Sequence, residues 1–299
     1  MTMVRPSIFR ASSAVITADA NAGKTGRRCG SGSIVRLAAA FVLACTLLAA
    51  PAMAQAVRSV PGTSERALED ARARLMRNPG DVAALRDAIQ AAMRVGMVDM
   101  AASYALRAQQ LSPGDPIVTA ARGAIEVHRG RPREGLLLFG EADKAGAGEG
   151  PFVADRALGY DLIGDQPSAQ YYYGLARRQS PDDEISRRYA LSLAIIGDFA
   201  TGDAMLRPLL NVQDRAAWRT HAFMLAIDGR PAEARAVLDR ILPPDLAAQI
   251  GPYMDTIPRL SRAQQAAAAN LGLFPAFPGG VQISPAPRTD QMQRSGGSR

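Results

Sequence analysis

The chain has 299 residues, of which 47% are apolar but only 5% aromatic. That balance supports a sizeable core of closely packed helices better than it supports strands. The net charge of +7 owes much to residues 1–54, which hold six basic side chains and one acidic. The remaining 29 basic and 27 acidic residues nearly cancel, which removes the electrostatic case for nucleic-acid binding. Both cysteines, Cys29 and Cys45, also lie in that stretch, so the rest of the chain has no disulfide and no thiolate metal site.

Residues 37–50 read LAAAFVLACTLLAA after Arg36. This run falls short of the about 20 apolar residues that a membrane-spanning helix needs. It is followed by Pro51-Ala52-Met53-Ala54-Gln55, whose small residues match a signal-peptide cleavage site. Cleavage is expected between Ala54 and Gln55, with an uncleaved anchor as the alternative. Val42-Leu43-Ala44-Cys45 loosely resembles a lipoprotein box, which would lipidate Cys45. The polar, Gly/Ser-rich residues 1–36 are too long for a leader's charged start. Translation is therefore expected to begin further in, near Val35, and residues 1–54 are set outside the fold. Residues 55–62 read as a short linker.

From residue 63 the chain repeats itself. Gly96, Gly130, Gly164, Gly197 and Gly229 each separate two apolar-periodic segments, at spacings of 34, 34, 33 and 32. Five residues after each glycine stands a small residue: Ala101, Gly135, Ala169, Gly202 and Ala234. Nine after stand Ala105, Phe139, Tyr173, Leu206 and Leu238. Each glycine permits a tight reversal between antiparallel helices, and the small residue lets the second helix approach the first. Second helices are expected near 65–77, 98–111, 132–144, 166–179, 199–210 and 231–242. First helices are expected near 82–95, 116–128, 152–163, 183–196 and 215–228. One hairpin cannot bury its own apolar face, so the hairpins must stack.

The period, the small residues, the Ala169–Tyr173 spacing and the late prolines Pro113 and Pro181 resemble the tetratricopeptide repeat family over about residues 63–243. Trp218 falls where that family favours a large residue. The resemblance implies an all-α fold, a right-handed α-solenoid of stacked hairpins, across residues 63–273. Glu126 departs from the pattern, as do Ala147, Asp214 and Leu246 at the closing-proline position, and 146–151 is loose. A kink is expected at the second repeat. After the breakers Pro243, Pro244, Gly251, Pro252 and Pro258, a helix at 259–270 is expected to cap the stack. Residues 274–299 are rich in proline, glycine and serine and read as a disordered tail. The end of the folded part is similar to exported alphaproteobacterial repeat proteins. In some of these a peptidoglycan-binding SPOR domain follows, but the 24 residues after Pro275 are too few for one.

No pattern for catalysis emerges. His128 and His221 lack a ligand-spaced partner, and Asp182-Asp183 suit a helix N-terminus. The glycines at 146–150 follow a helix, not a strand, which argues against a phosphate cradle. No catalytic residue, metal or cofactor is therefore expected. Tyr171-Tyr172-Tyr173 is read as packing. In stacks of this kind the first helices line a concave groove, and helical phase places Arg94, His128, Asp161, Arg187, Arg188 and Arg219 there. The resemblance implies an exported interaction scaffold, periplasmic or outer-membrane-associated in a bacterial envelope. Its partners would be other envelope proteins. A peptidoglycan-associated accessory of cell-wall enzymes, or a tight-adherence pilus or secretion assembly factor, are the alternatives.

Overall fold

The computed structural model describes residues 3–4 and 62–275. Apart from Met3–Val4, the leader with Cys45 and its cleavage site lies outside the described residues, as does the tail beyond Pro275. Met3–Val4 (β1) forms a two-residue antiparallel ladder with Phe274–Pro275 (β2), pairing segments that sequence reading set outside the fold.

Eleven consecutive helices then follow the expected plan, each boundary within two residues of its sequence-based position. They are α1 (Thr63–Arg77), α2 (Val82–Arg94), α3 (Val98–Leu111), α4 (Pro116–His128), α5 (Pro132–Lys144), α6 (Val153–Ile163), α7 (Gln166–Gln179), α8 (Asp183–Ile196), α9 (Phe199–Asn211), α10 (Arg215–Ile227) and α11 (Pro231–Ile241). Aspartates at 81, 115, 165, 182, 198 and 214 cap first or second helices by accepting backbone N–H bonds. The five turn glycines have φ between +75° and +99°. In each turn the N–H after the glycine returns to a carbonyl five residues back, as in Met97 to Ala92 and Asp165 to Tyr160. This closes the helix end with the left-handed residue that glycine supplies without strain.

Each first helix packs on its own second helix, and the first helices α2, α4, α6, α8 and α10 also touch one another in sequence. They therefore form a continuous inner wall, with the second helices outside. Ala101, Ala169 and Ala234 are fully buried in the hairpin seams. The chain is thus an all-α solenoid of stacked helix hairpins.

The second repeat, expected to be the least regular, holds the most intimate hairpin. Gly123 of α4 faces Gly135 of α5, and a Cβ at Gly135 would lie 2.7 Å from the Gly123 carbonyl oxygen and 2.6 Å from Val127 Cγ2. The two missing side chains draw the backbones together. Gly140, on the same helix, has nothing within 4 Å of its absent Cβ. Gly135→Ala is therefore expected to cost about 1–3 kcal/mol through forced separation. Gly140→Ala should instead stabilise by up to about 1 kcal/mol through helix propensity. Urea unfolding of the two variants checks both signs.

The C-terminal region departs furthest from expectation. Residues read as breakers form a helix, α12 (Pro244–Met254), which packs on α11. Pro244 starts it, where a missing N–H costs nothing, and Pro252 falls in its last turn. A 3-10 turn, Ile257–Arg259, leads into α13 (Arg262–Leu271). That helix does not cap the last repeat. It turns back and lies on the inner wall against α6, α8 and α10. Phe274, assigned by sequence to the tail, is buried, with its ring centroid 4.5 Å from that of Tyr253.

Candidate functional site

The inner wall of the stack is the candidate site, and two of its cations stand at the same repeat position in the first and fourth repeats. Arg86 and Arg187 each stand ten residues before a turn glycine. Each reaches the aspartate that caps the next first helix: Arg86 pairs with Asp115, and Arg187 Nη1 lies 3.3 Å from Asp214. Guanidinium and cap together tie one hairpin to the next, so Arg187 has a structural duty that sequence phase alone did not show.

Between these ties runs a chain of ion pairs. His128 Nε2 lies 2.8 Å from Asp155 Oδ1, and Arg188 Nη1 is 3.0 Å from the same oxygen. Arg188 Nε donates to Glu184 at 2.9 Å, and Arg187 Nη2 to Glu184 at 3.0 Å. The side chains of His128, Asp155 and Arg188 are only 13%, 14% and 17% exposed. Burial pushes the Asp155 carboxyl up, but His128 and then Arg188 outweigh it and hold it below the usual range. Burial likewise opposes charge on Arg188, yet Glu184 and Asp155 raise its pKa. Asp155 and Glu184 were not singled out in the sequence. The signal for them was available, because Asp155 shares a repeat position with Arg188 and lies 27 residues after His128.

The six residues placed in the groove by phase thus divide. Arg94 is exposed at the rim of a cavity of about 510 Å³ between the α1–α2 end of the wall and the start of α8, shared with Gln90, Asp155, Glu184 and Arg188. His128, Arg187, Arg188 and Arg219 line a smaller recess together with Ala269 and Asn270 of α13. Asp161 is not in the groove. It is fully buried where α6, α7 and α8 meet, and it accepts a 2.8 Å hydrogen bond from Ser192, which in turn accepts one from Gln170. The Tyr173 hydroxyl and Gln166 amide adjoin the carboxyl without closing a well-formed bond. Burial pushes the Asp161 carboxyl up to about 7.

Three further features are structural. His221 Nε2 lies 3.1 Å from Asp203, and burial lowers its pKa. Trp218 is half-buried beneath Arg240, whose guanidinium lies 5.6 Å from its ring centroid. Tyr173 stacks on Tyr189 in the core, while Tyr172 stacks on Tyr160 under the Arg156 guanidinium. Among the described residues no group of three or more His, Cys, Asp or Glu is placed to hold a metal ion. No helix among them is long and apolar enough to cross a membrane.

No family model matches the sequence, and no curated protein matches it. Among solved structures, the chain is similar to one in the structure of Naa15/Naa10 bound to HypK-THB, at 16% identity and a TM-score of 0.31. The match covers 70% of this chain and 34% of that one, so it spans about a third of the other protein's length.

Proposed function

We propose that this chain is an exported, non-catalytic scaffold of a bacterial envelope that holds a segment of another envelope protein in the groove of its helix stack. The observation that carries the reading is the inner wall itself, a continuous row of first helices that already holds a helix, α13. A wall able to seat one helix has the width and apolar lining for a peptide or helix of a partner. The open cavity beside Arg94 extends that wall and offers both signs of charge.

The test places a photoreactive amino acid at position 94 and irradiates living cells. A single partner band is expected, and it should weaken strongly when Arg187 and Arg219 are both changed to alanine in a variant that still melts cooperatively. An undiminished band would remove the groove from the binding surface. Sedimentation of the purified chain with sacculi would instead favour the peptidoglycan-associated reading. Export is checked separately, since N-terminal sequencing of the accumulated protein should begin at Gln55.

A further inference from the structure

The inner wall is not empty. Helix α13 crosses it, and its four central residues Gln265, Ala266, Ala267 and Ala268 are all buried. Four consecutive helical positions cover most of a helix circumference, so α13 is enclosed on more than one side. What it brings to the contact is smooth. Ala266 and Ala268 share a core cluster with Leu191, Ile195 and Phe223, and Leu271 packs at its far end against the cluster of the early repeats. The bulk is on the wall and the small residues are on the guest, which lets the two backbones approach.

Beyond its alanines the guest meets a polar part of the wall. Ala269 and Asn270 face the recess walled by His128, Glu184, Arg187, Arg188 and Arg219. Asn270 spends its amide on the Ala266 carbonyl of its own helix, so α13 answers this ionic floor with no charge. The ends of α13 are closed by its own residues. Ser261 and Gln264 form a reciprocal capping box, and Gly272 closes the other end in the left-handed region. It is a self-capped unit, joined to α12 through the short segment 255–261 and, past its end, through Phe274 on Tyr253.

We infer that α13 is an intramolecular ligand of the groove, and that the partner is a helix with an alanine seam like that of α13, which takes its seat by displacing it. This rests on the reading of the groove as a partner site and adds the class of partner and the way access is controlled. A tether this short gives α13 an effective concentration on the order of millimolar at its seat. A partner must therefore outcompete it, either by extra contacts to the ionic floor or by a high local concentration.

The experiment uses the full chain with Cys29 and Cys45 replaced by serine, and a fluorescent peptide of residues 261–275. An ideal Cβ on Gly164 would lie 3.8 Å from the Ala263 Cβ, the separation typical of a disulfide. Gly164→Cys with Ala263→Cys therefore locks α13 in place when oxidised; because position 164 has φ +86°, which strains any side chain, the same chain reduced is the control for the locked state. Ala268→Glu, which puts a charge at a fully buried seam position, expels it. The expelled chain is expected to bind the peptide, the locked chain at least about tenfold more weakly, in keeping with loss of an intramolecular competitor. A peptide carrying Ala268→Glu should bind neither. Equal binding to locked and expelled chains would place the peptide elsewhere and overturn the proposal. So would a folded Ala268→Glu chain that binds nothing. Should that variant fail to fold, a protease site inserted before Ser261 gives a second route. After cleavage the labelled peptide must exchange into the groove, and its failure to do so would make α13 a permanent part of the core. The crosslink at position 94 reads partner capture without reference to α13. A band there alongside any of these negative results would leave the groove reading standing and the displacement refuted.

Discussion

Asp161→Asn is expected to stabilise the protein at neutral and alkaline pH and to flatten part of its pH dependence. The carboxyl is fully buried, and burial raises its pKa from an ordinary 3.8 to about 7. In the unfolded chain the same group ionises near pH 4. Between about pH 4 and pH 7 the folded state therefore keeps a proton that the unfolded state releases, and stability falls as pH rises across that window. The contribution is fully present below pH 4 and fully lost once pH passes the folded value. A rise of that size corresponds to a loss on the order of 4 kcal/mol. Asparagine is the same size, still accepts from the Ser192 hydroxyl, and carries no proton to lose. Denaturant unfolding from about pH 3.5 to about pH 8 should show wild type and variant converging at the low end and separating by a few kcal/mol at the high end. Parallel curves would mean that the carboxyl is relieved of its burial in solution.

The same residue shows where the sequence was readable and where it was misread. Three residues before the turn glycines stand Met93, Val127, Asp161, Ala194 and Ala226, and all five are buried. Asp161 occupies a core column, while Arg94 and His128 belong to the next column, rotated by about 100° toward the groove. Comparing columns rather than projecting each helix by itself would have placed it correctly. The hairpins were legible because a glycine with positive φ and a small residue five positions on leave a periodic imprint. The destination of α13 left none. Its alanines fit a capping helix and a groove-bound helix equally well, and which one forms depends on walls a hundred residues away. α12 was lost to its prolines, since proline at a helix start is compatible with the helix it introduces. The interlocking of Arg187 with Asp214 is not visible in the sequence for a related reason. A cap and a cation are each ordinary, and only the stacking of consecutive first helices brings them together.

Arg188→Ala is the second large effect to expect, a destabilisation of about 3 kcal/mol or more, because it strips a partner from a mostly buried charge. Arg188 serves Asp155 through Nη1 and Glu184 through Nε at once. Glu184 is exposed and can turn to water, whereas the Asp155 side chain is only 14% exposed and has little room to do so. It would be left with His128 alone, and its carboxyl would move upward. The penalty should therefore shrink as pH falls and Asp155 takes up a proton, a trend opposite in origin to that of Asp161 and absent from Asp155→Asn. Lysine at 188 should rescue little, because a single ammonium cannot reproduce the two-sided contact of a planar guanidinium. Changing Arg188 and Asp155 together to leucine should cost less than the sum of the single changes, and a double-mutant cycle on unfolding free energies measures that coupling. Arg188 bridges α6 and α8, the two helices against which α13 chiefly lies. If the network sets the spacing of that seat, Arg188→Ala should also ease entry of the 261–275 peptide under conditions where the chain remains folded. Unchanged peptide binding would confine the network's role to stability.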